Sequence, residues 1–192
     1  MRQVQERGPE QALKASAAAR RWGLVVALAA VVIAVDHATK WWALQELPGN
    51  PIDLLWTLRL RLVFNTGAAF GLGSRYAPVI ALAALVVVLV LVRTARLLST
   101  WPSVVGVGLV LGGALGNLAD RLLREADGIL GGAVVDFIDL QWWPVFNVAD
   151  IAINLGAVVI IVASMREPAF GDGPGAGAGQ DPVEDAPGRS GS

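Results

Sequence analysis

The chain has 192 residues, of which 55% are hydrophobic and only 16% charged, where soluble domains carry about a quarter of charged residues. Its net charge of -1 supplies no basic footprint for nucleic acid. Cysteine is absent and His37 is the single histidine, which excludes disulfides, thiolate nucleophiles and cysteine-linked lipid, and leaves little from which to build a zinc site or a serine–histidine triad. Chemistry therefore falls to Asp, Glu, Asn, Arg, Ser or Lys, with no metal or cofactor expected.

In chain order, residues 1–20 are expected to be a flexible tail, with Arg2, Arg7, Lys14 and Arg20 in it and Arg21 just after it. The first apolar segment runs from Trp22 to about Trp42. A cleaved signal peptide is the competing reading there, but the run continues into Asp36, Lys40 and two tryptophans rather than a small-residue cleavage site. Residues 43–75 are too long for a turn, and within them IDLLWTLRLRLVF (Ile52 to Phe64) partly alternates apolar and polar residues, which suits short strands at the membrane surface. Tyr76 to Val92 is the second segment and Ser103 to about Ala119 the third. A glycine-containing loop then leads into the strand-like AVVDFIDL, and Trp142 and Trp143 precede the fourth segment, Val145 to Met165, as interfacial anchors would.

Each segment has about the length a helix needs to cross a bilayer, and most lack the polar face of a soluble bundle helix. The expectation is an all-α integral membrane protein: a domain over 21–167 with four transmembrane helices and a small extracytoplasmic β-sheet or cradle. Arg and Lys bias places both termini in the cytoplasm: the basic tail, Arg93 and Arg96 after the second segment, and Arg166 after the fourth share one side. Arg59, Arg61, Arg121 and Arg124 depart from that bias. Residues 168–192, with GPGAGAG, read as a disordered cytoplasmic tail.

Asp36, Asp136 and Asp150 lie in or beside apolar sequence near the outer boundary, where an ionisable group is costly and points to function. Asp36 has Lys40 one turn later on its own helix face and is expected to pair with it. Asp136 and Asp150 have no opposite charge near them in sequence. Two facing carboxylates keep one proton between them, and such a pair can activate water and protonate an amide leaving group. Asp120 and Arg121 are adjacent, face apart, and each needs a partner elsewhere. Gly108, Gly112 and Gly116 make a small-residue packing seam, and Asn117 and Arg121 share a face at its end. Two other readings use the same residues. A transporter or proton or cation relay would employ Asp36, Asp136 and Asp150, with an acid near the midplane and two similar halves. A membrane scaffold would assemble through the glycine seam, leaving the acids without work.

The combination NTGAAFG (Asn65 to Gly71), GGALGNLADR (Gly112 to Arg121), VVDF (Val134 to Phe137) and FNVAD (Phe146 to Asp150), in that order over Trp22 to Met165, resembles lipoprotein signal peptidase, or signal peptidase II. The resemblance implies a bacterial intramembrane aspartic protease of the plasma membrane, with its site near the outer face. Such an enzyme cuts prolipoproteins just before a diacylglyceryl-modified cysteine. It further implies Asp136 and Asp150 as the catalytic pair, with Asn65, Asn117, Arg121 and Asn147 lining the site and Asp36, Lys40, Asp120 and Asn154 supporting it. The expected partners are lipid-modified prolipoproteins and membrane lipids, with the signal helix lying among the second, third and fourth spans; a monomer suffices. READGILGG (Arg124 to Gly132) makes the connection to Asp136 somewhat long.

Overall fold

The computed structural model describes residues 9–67, 77–94, 100–124 and 132–166. It contains α1 (Pro9–Glu46), β1 (Ile52–Leu55), β2 (Leu58–Asn65), α2 (Ala77–Thr94), α3 (Trp101–Leu123), β3 (Val134–Asp139) and α4 (Val148–Arg166). The protein is thus a helical membrane protein with one small antiparallel sheet. Among the described residues, three stretches are long and apolar enough to cross a membrane: Glu10–Glu46, Trp101–Leu123 and Val148–Met165. The second expected span is shorter; its apolar part is Pro78–Arg93, closed by Arg93 in the last turn. A short apolar helix is accommodated by local thinning of the bilayer or by a snorkelling cation at its end.

α1 starts at Pro9 rather than near Trp22, because the polar run PEQALKASAAARR is built of strong helix formers that hydropathy alone passes over. Residues 1–8, the stretch from Ala68 to Phe70 of the expected cradle, the connections 95–99 and 125–131, and the tail from 167 lie outside the described residues.

α3 is the central helix. It packs against α1, α2 and α4, and its glycines decide how closely. Gly108 and Gly112 face α1: a Cβ on Gly112 would lie 2.7 Å from the Cβ of Val32 and 2.9 Å from the carbonyl oxygen of Ala29. Gly116 meets the Asp36 carboxylate. Gly106 faces α4 instead, where Gly156 in turn has Gly106's carbonyl oxygen at 2.6 Å from a built Cβ. The seam read from sequence is therefore filled within the chain rather than free for assembly. Gly112→Ala is expected to destabilise the fold by about 1–3 kcal/mol through overpacking, seen as a lowered Tm in detergent; an unchanged Tm would mean α1 can move aside.

The outward faces of α1, α2 and α4 carry exposed Leu, Val and Ile, among them Val31, Leu82 and Val158, as lipid-facing helices do. The sheet has the order β1-β2-β3. Ile52 pairs with Leu60, Arg59 with Asp139, and Asn65 with Val134, with an irregularity between Leu60 and Val63. Ala43 of α1, Leu47 just after it and Phe137 of β3 form the small core beneath it, with Trp42 edge-on to Phe137.

Candidate active site

Asp136 lies in the middle of β3, and Asp150 is the third residue of α4. Strand pairing sets the first: Val63 is opposite Asp136 and Asn65 opposite Val134, so Asn65 is a diagonal neighbour of Asp136 on the sheet. Its Nδ2 donates to Asp136 Oδ2 at 2.9 Å. Helix capping sets the second. Asn147 precedes α4, and its Oδ1 accepts from the Asp150 backbone N–H at 3.0 Å; Asp150 Oδ2 accepts in return from the Asn147 N–H at 3.2 Å. This is a reciprocal capping box. The Nδ2 of the same Asn147 donates to Asp136 Oδ1 at 2.7 Å and to Asn117 Oδ1 at 3.0 Å. Asn117 Nδ2 donates to Asp150 Oδ1 at 2.8 Å. Two acids fourteen positions apart are thereby held by one pair of asparagines. Both line the same cavity.

Burial pushes the Asp136 carboxyl up to about 7; the Asn65 hydrogen bond opposes this, and the nearby Asp150 charge adds to it. A proton is thus retained at the pair near neutral pH, the condition for one acid to donate while the other accepts.

Behind the pair lies a buried ion cluster. Lys40, 1% exposed, reaches Asp36 Oδ2 at 2.7 Å, Asp120 Oδ2 at 2.9 Å and Asn117 Oδ1 at 2.9 Å. Asp36 Oδ1 accepts from the Ala149 N–H at the start of α4 at 2.9 Å. Asp120 accepts from Arg124 Nε at 2.9 Å and from the Val135 N–H at 3.3 Å. The cluster therefore joins α1, α3, β3 and α4 around one ammonium group. Lys40 also fixes Asn117, which leaves the amide end of Asn117 free to donate to Asp150.

The other expected residues are placed as follows. Asn154 is exposed, donates to the Asp150 carbonyl at 2.8 Å and lines a second cavity of about 640 Å³ with Trp142, Trp143 and Phe146. Arg121 is 8% exposed and lines the first cavity, and its Nη1 has no hydrogen-bond partner among the described residues. His37 stays half-exposed, with Nδ1 3.1 Å from the Ile33 carbonyl.

Asp139 was not singled out from sequence. Its Oδ2 accepts from Arg59 Nε at 2.7 Å and Arg61 Nε at 3.0 Å, and its Oδ1 accepts from the Gln141 N–H at 2.7 Å. Burial alone would raise this carboxyl; the Arg59, Gln141 and Arg61 hydrogen bonds outweigh it and hold the group below the usual carboxylate range. Two of the four arginines that depart from the charge bias, Arg59 and Arg61, thus belong to the sheet. The alternation at Arg59 and Arg61, opposite a strand carrying acids, was the available signal.

Residues 28–166 match the family model described as signal peptidase (SPase) II. Among curated relatives, the lipoprotein signal peptidase of Rhodococcus jostii (strain RHA1) is 45% identical over 144 residues, covering 74% of this chain and 72% of the relative. That of Mycobacterium avium (strain 104) is 46% identical over 149 residues, covering 76% and 81%. A solved structure described as a bacterial membrane enzyme, at 2.3 Å resolution, superposes with a TM-score of 0.66 at 27% identity, covering 77% of this chain and 90% of that one. With the family model matched over most of the chain and curated relatives at 45–46% identity, the chain belongs to the signal peptidase II family.

Proposed function

We propose that this protein is an aspartic endopeptidase of the bacterial plasma membrane that removes the signal peptide from diacylglyceryl-modified prolipoproteins, cutting just before the lipidated cysteine. The observation that carries the reading is the pair Asp136 and Asp150, held by Asn147 and Asn117 in one cavity at the sheet end of an apolar bundle. The ionised acid takes a proton from water, whose oxygen attacks the scissile carbonyl carbon. The protonated partner donates a hydrogen bond to that carbonyl oxygen, and on collapse of the tetrahedral intermediate a proton passes to the departing cysteine amine. Asn65, Asn117 and Asn147 orient the carboxylates; Asp36, Lys40 and Asp120 hold the asparagines and the start of α4 in place.

In this reading α2 also crosses the bilayer, giving four spans with both termini in the cytoplasm and the sheet outside. The domain spans 21–167, flanked by cytoplasmic extensions at 1–20 and 168–192. A relay needs an acid near the midplane, whereas Asp36 bonds the first turn of α4 and so sits level with Asp150, which favours the peptidase. The test is cleavage by purified protein in detergent of a diacylglyceryl-modified precursor and its unlipidated counterpart. Cleavage of the lipidated form alone is expected; folded protein that cuts neither would overturn the reading.

A further inference from the structure

β1 and β2 are joined by two residues, Trp56 and Thr57, and Trp56 has a φ of 45° and is 98% exposed. A two-residue hairpin loop with a left-handed position ordinarily takes Gly, Asn or Asp there, and a bulky side chain in that region is an outlier. Leu54 and Leu55, just before it, are exposed as well. Facing water, three consecutive apolar side chains at a hairpin tip would have no favourable surroundings to set against the unfavourable backbone. The surroundings of the tip therefore decide what it is for.

A second loop is tied to it. Gln141, also left-handed with a φ of 68°, donates from Nε2 to the Thr57 carbonyl at 3.1 Å. The next two residues, Trp142 and Trp143, are exposed and lie edge to face, with ring centroids 6.1 Å apart. Both loops leave the same end of the sheet, because Arg59 pairs with Asp139 there while Asn65 pairs with Val134 at the other end. Trp142 and Trp143 border the second cavity together with Ile151 and Asn154, so they stand beside the first turns of α4. From Ile151 an exposed stripe continues through Leu155, Val158 and Val162, the spacing of one helix face. One apolar surface thus leads from the lipid-facing side of α4, past two tryptophans, to the hairpin tip.

We propose that the hairpin tip, Leu54 to Trp56, inserts into the lipid interface beside Trp142 and Trp143 and anchors the sheet to the bilayer. The leaflet is the outer one in the topology proposed above. An indole at that level keeps its ring in the apolar boundary and its N–H toward water, and continuity with the face of α4 makes lipid, rather than another protein, the occupant. From Arg59 to Asn65 the strand covers ~20 Å at ~3.3 Å per residue, so the tip lies well away from the acid pair and touches no reacting atom. Its effect is on placement. With Asp136 toward one end of the sheet and an inserted tip at the other, the strands lie along the membrane surface, and Asn65 and Asp136 are kept at a fixed height above the hydrocarbon.

The chain has no cysteine, so Thr57→Cys carries a single nitroxide beside the tip and leaves Leu55, Trp56 and the carbonyl bonded by Gln141 in place. The full chain in phosphatidylcholine vesicles is measured for contact of the label with oxygen and with a water-soluble nickel chelate; Leu155→Cys, on the exposed stripe of α4, is the lipid-facing reference. The label at 57 is expected ~5–10 Å into the headgroup–acyl boundary, met by oxygen more than by nickel. Adding Leu55→Ser and Trp56→Asn is expected to return it to water. Both side chains are exposed, and Asn tolerates the left-handed backbone, so the fold is retained. A label in water in the Thr57→Cys protein overturns the anchor, whether or not the triple variant folds. A label shielded from both reagents means that a protein covers the tip, and also overturns it. So does an immersed label that the two added substitutions leave where it was.

Discussion

Asp136→Asn and Asp150→Asn are each expected to lower cleavage of a lipidated precursor by at least ~10³-fold while leaving the fold intact. General acid–base catalysis by a positioned group contributes about 10²–10⁴, and the two acids act as one unit, so removing either removes the proton exchange. Asn keeps the shape but brings one acceptor oxygen where each carboxylate accepts from two N–H groups, so each variant loses one of those hydrogen bonds. The pH dependence of stability should change as well for Asp136. Its folded pKa is raised to about 7, whereas an unfolded Asp loses its proton near ~3.9. The native form therefore binds more protons between those values, and stability falls as pH rises through the window. Asp136→Asn escapes that loss, so between pH 5 and pH 8 its Tm should fall less than that of wild type. The wild-type activity should decline on the alkaline side with an apparent pKa near 7 that belongs to the pair. An Asn variant with near-full activity, measured beside wild type in one detergent, would exclude the two-acid mechanism.

Lys40→Met should cost the most stability. The ammonium is almost entirely buried between two carboxylates that are 0% and 3% exposed. Removing it leaves both without their shared counter-ion, and breaking a buried ion pair from one side typically costs about 3–5 kcal/mol. Asn117 would lose one of the two donors to its Oδ1 as well, keeping Asn147 Nδ2, and with it part of what fixes its amide toward Asp150. A strongly lowered Tm in detergent is the expected result. A variant of wild-type Tm would mean that the ammonium does not hold α1, α3, β3 and α4 together. Lys40→Met combined with Asp36→Asn should recover part of the loss, because one stranded charge is then gone.

The elements legible in the sequence are those whose signal is local. The apolar runs mark α2, α3 and α4 to within a few residues, and the alternation around Arg59 and Arg61 marks β2. The i, i+4 spacing gives the Asp36–Lys40 pair directly. What escaped depends on distance along the chain. Asn117 meets Asp150 thirty-three residues away, and Arg59 meets Asp139 eighty residues away; no periodicity encodes either. The start of α1 at Pro9 escaped for a different reason. Its first three turns are helical by propensity yet polar, so a reading tuned to membrane spans stops at Trp22. Asp120 shows both sides: its need for a distant partner was readable, but Lys40, Arg124 and the Val135 amide as its partners were not.

The capping box at the start of α4 also bears on when the enzyme comes into being. Asn147, which holds Asp136, caps the last described element in chain order, and Asp150, its partner, lies in that element's first turn. Until that stretch has left the ribosome and entered the bilayer, Asp136 lacks its second amide, Asp36 lacks the Ala149 N–H, and there is no second acid. A nascent chain bearing the first three helices and the sheet is therefore inert toward every precursor around it. Proteolytic competence arrives in one step, with the final helix, and the bonds that seat that helix are the same ones that arm the site.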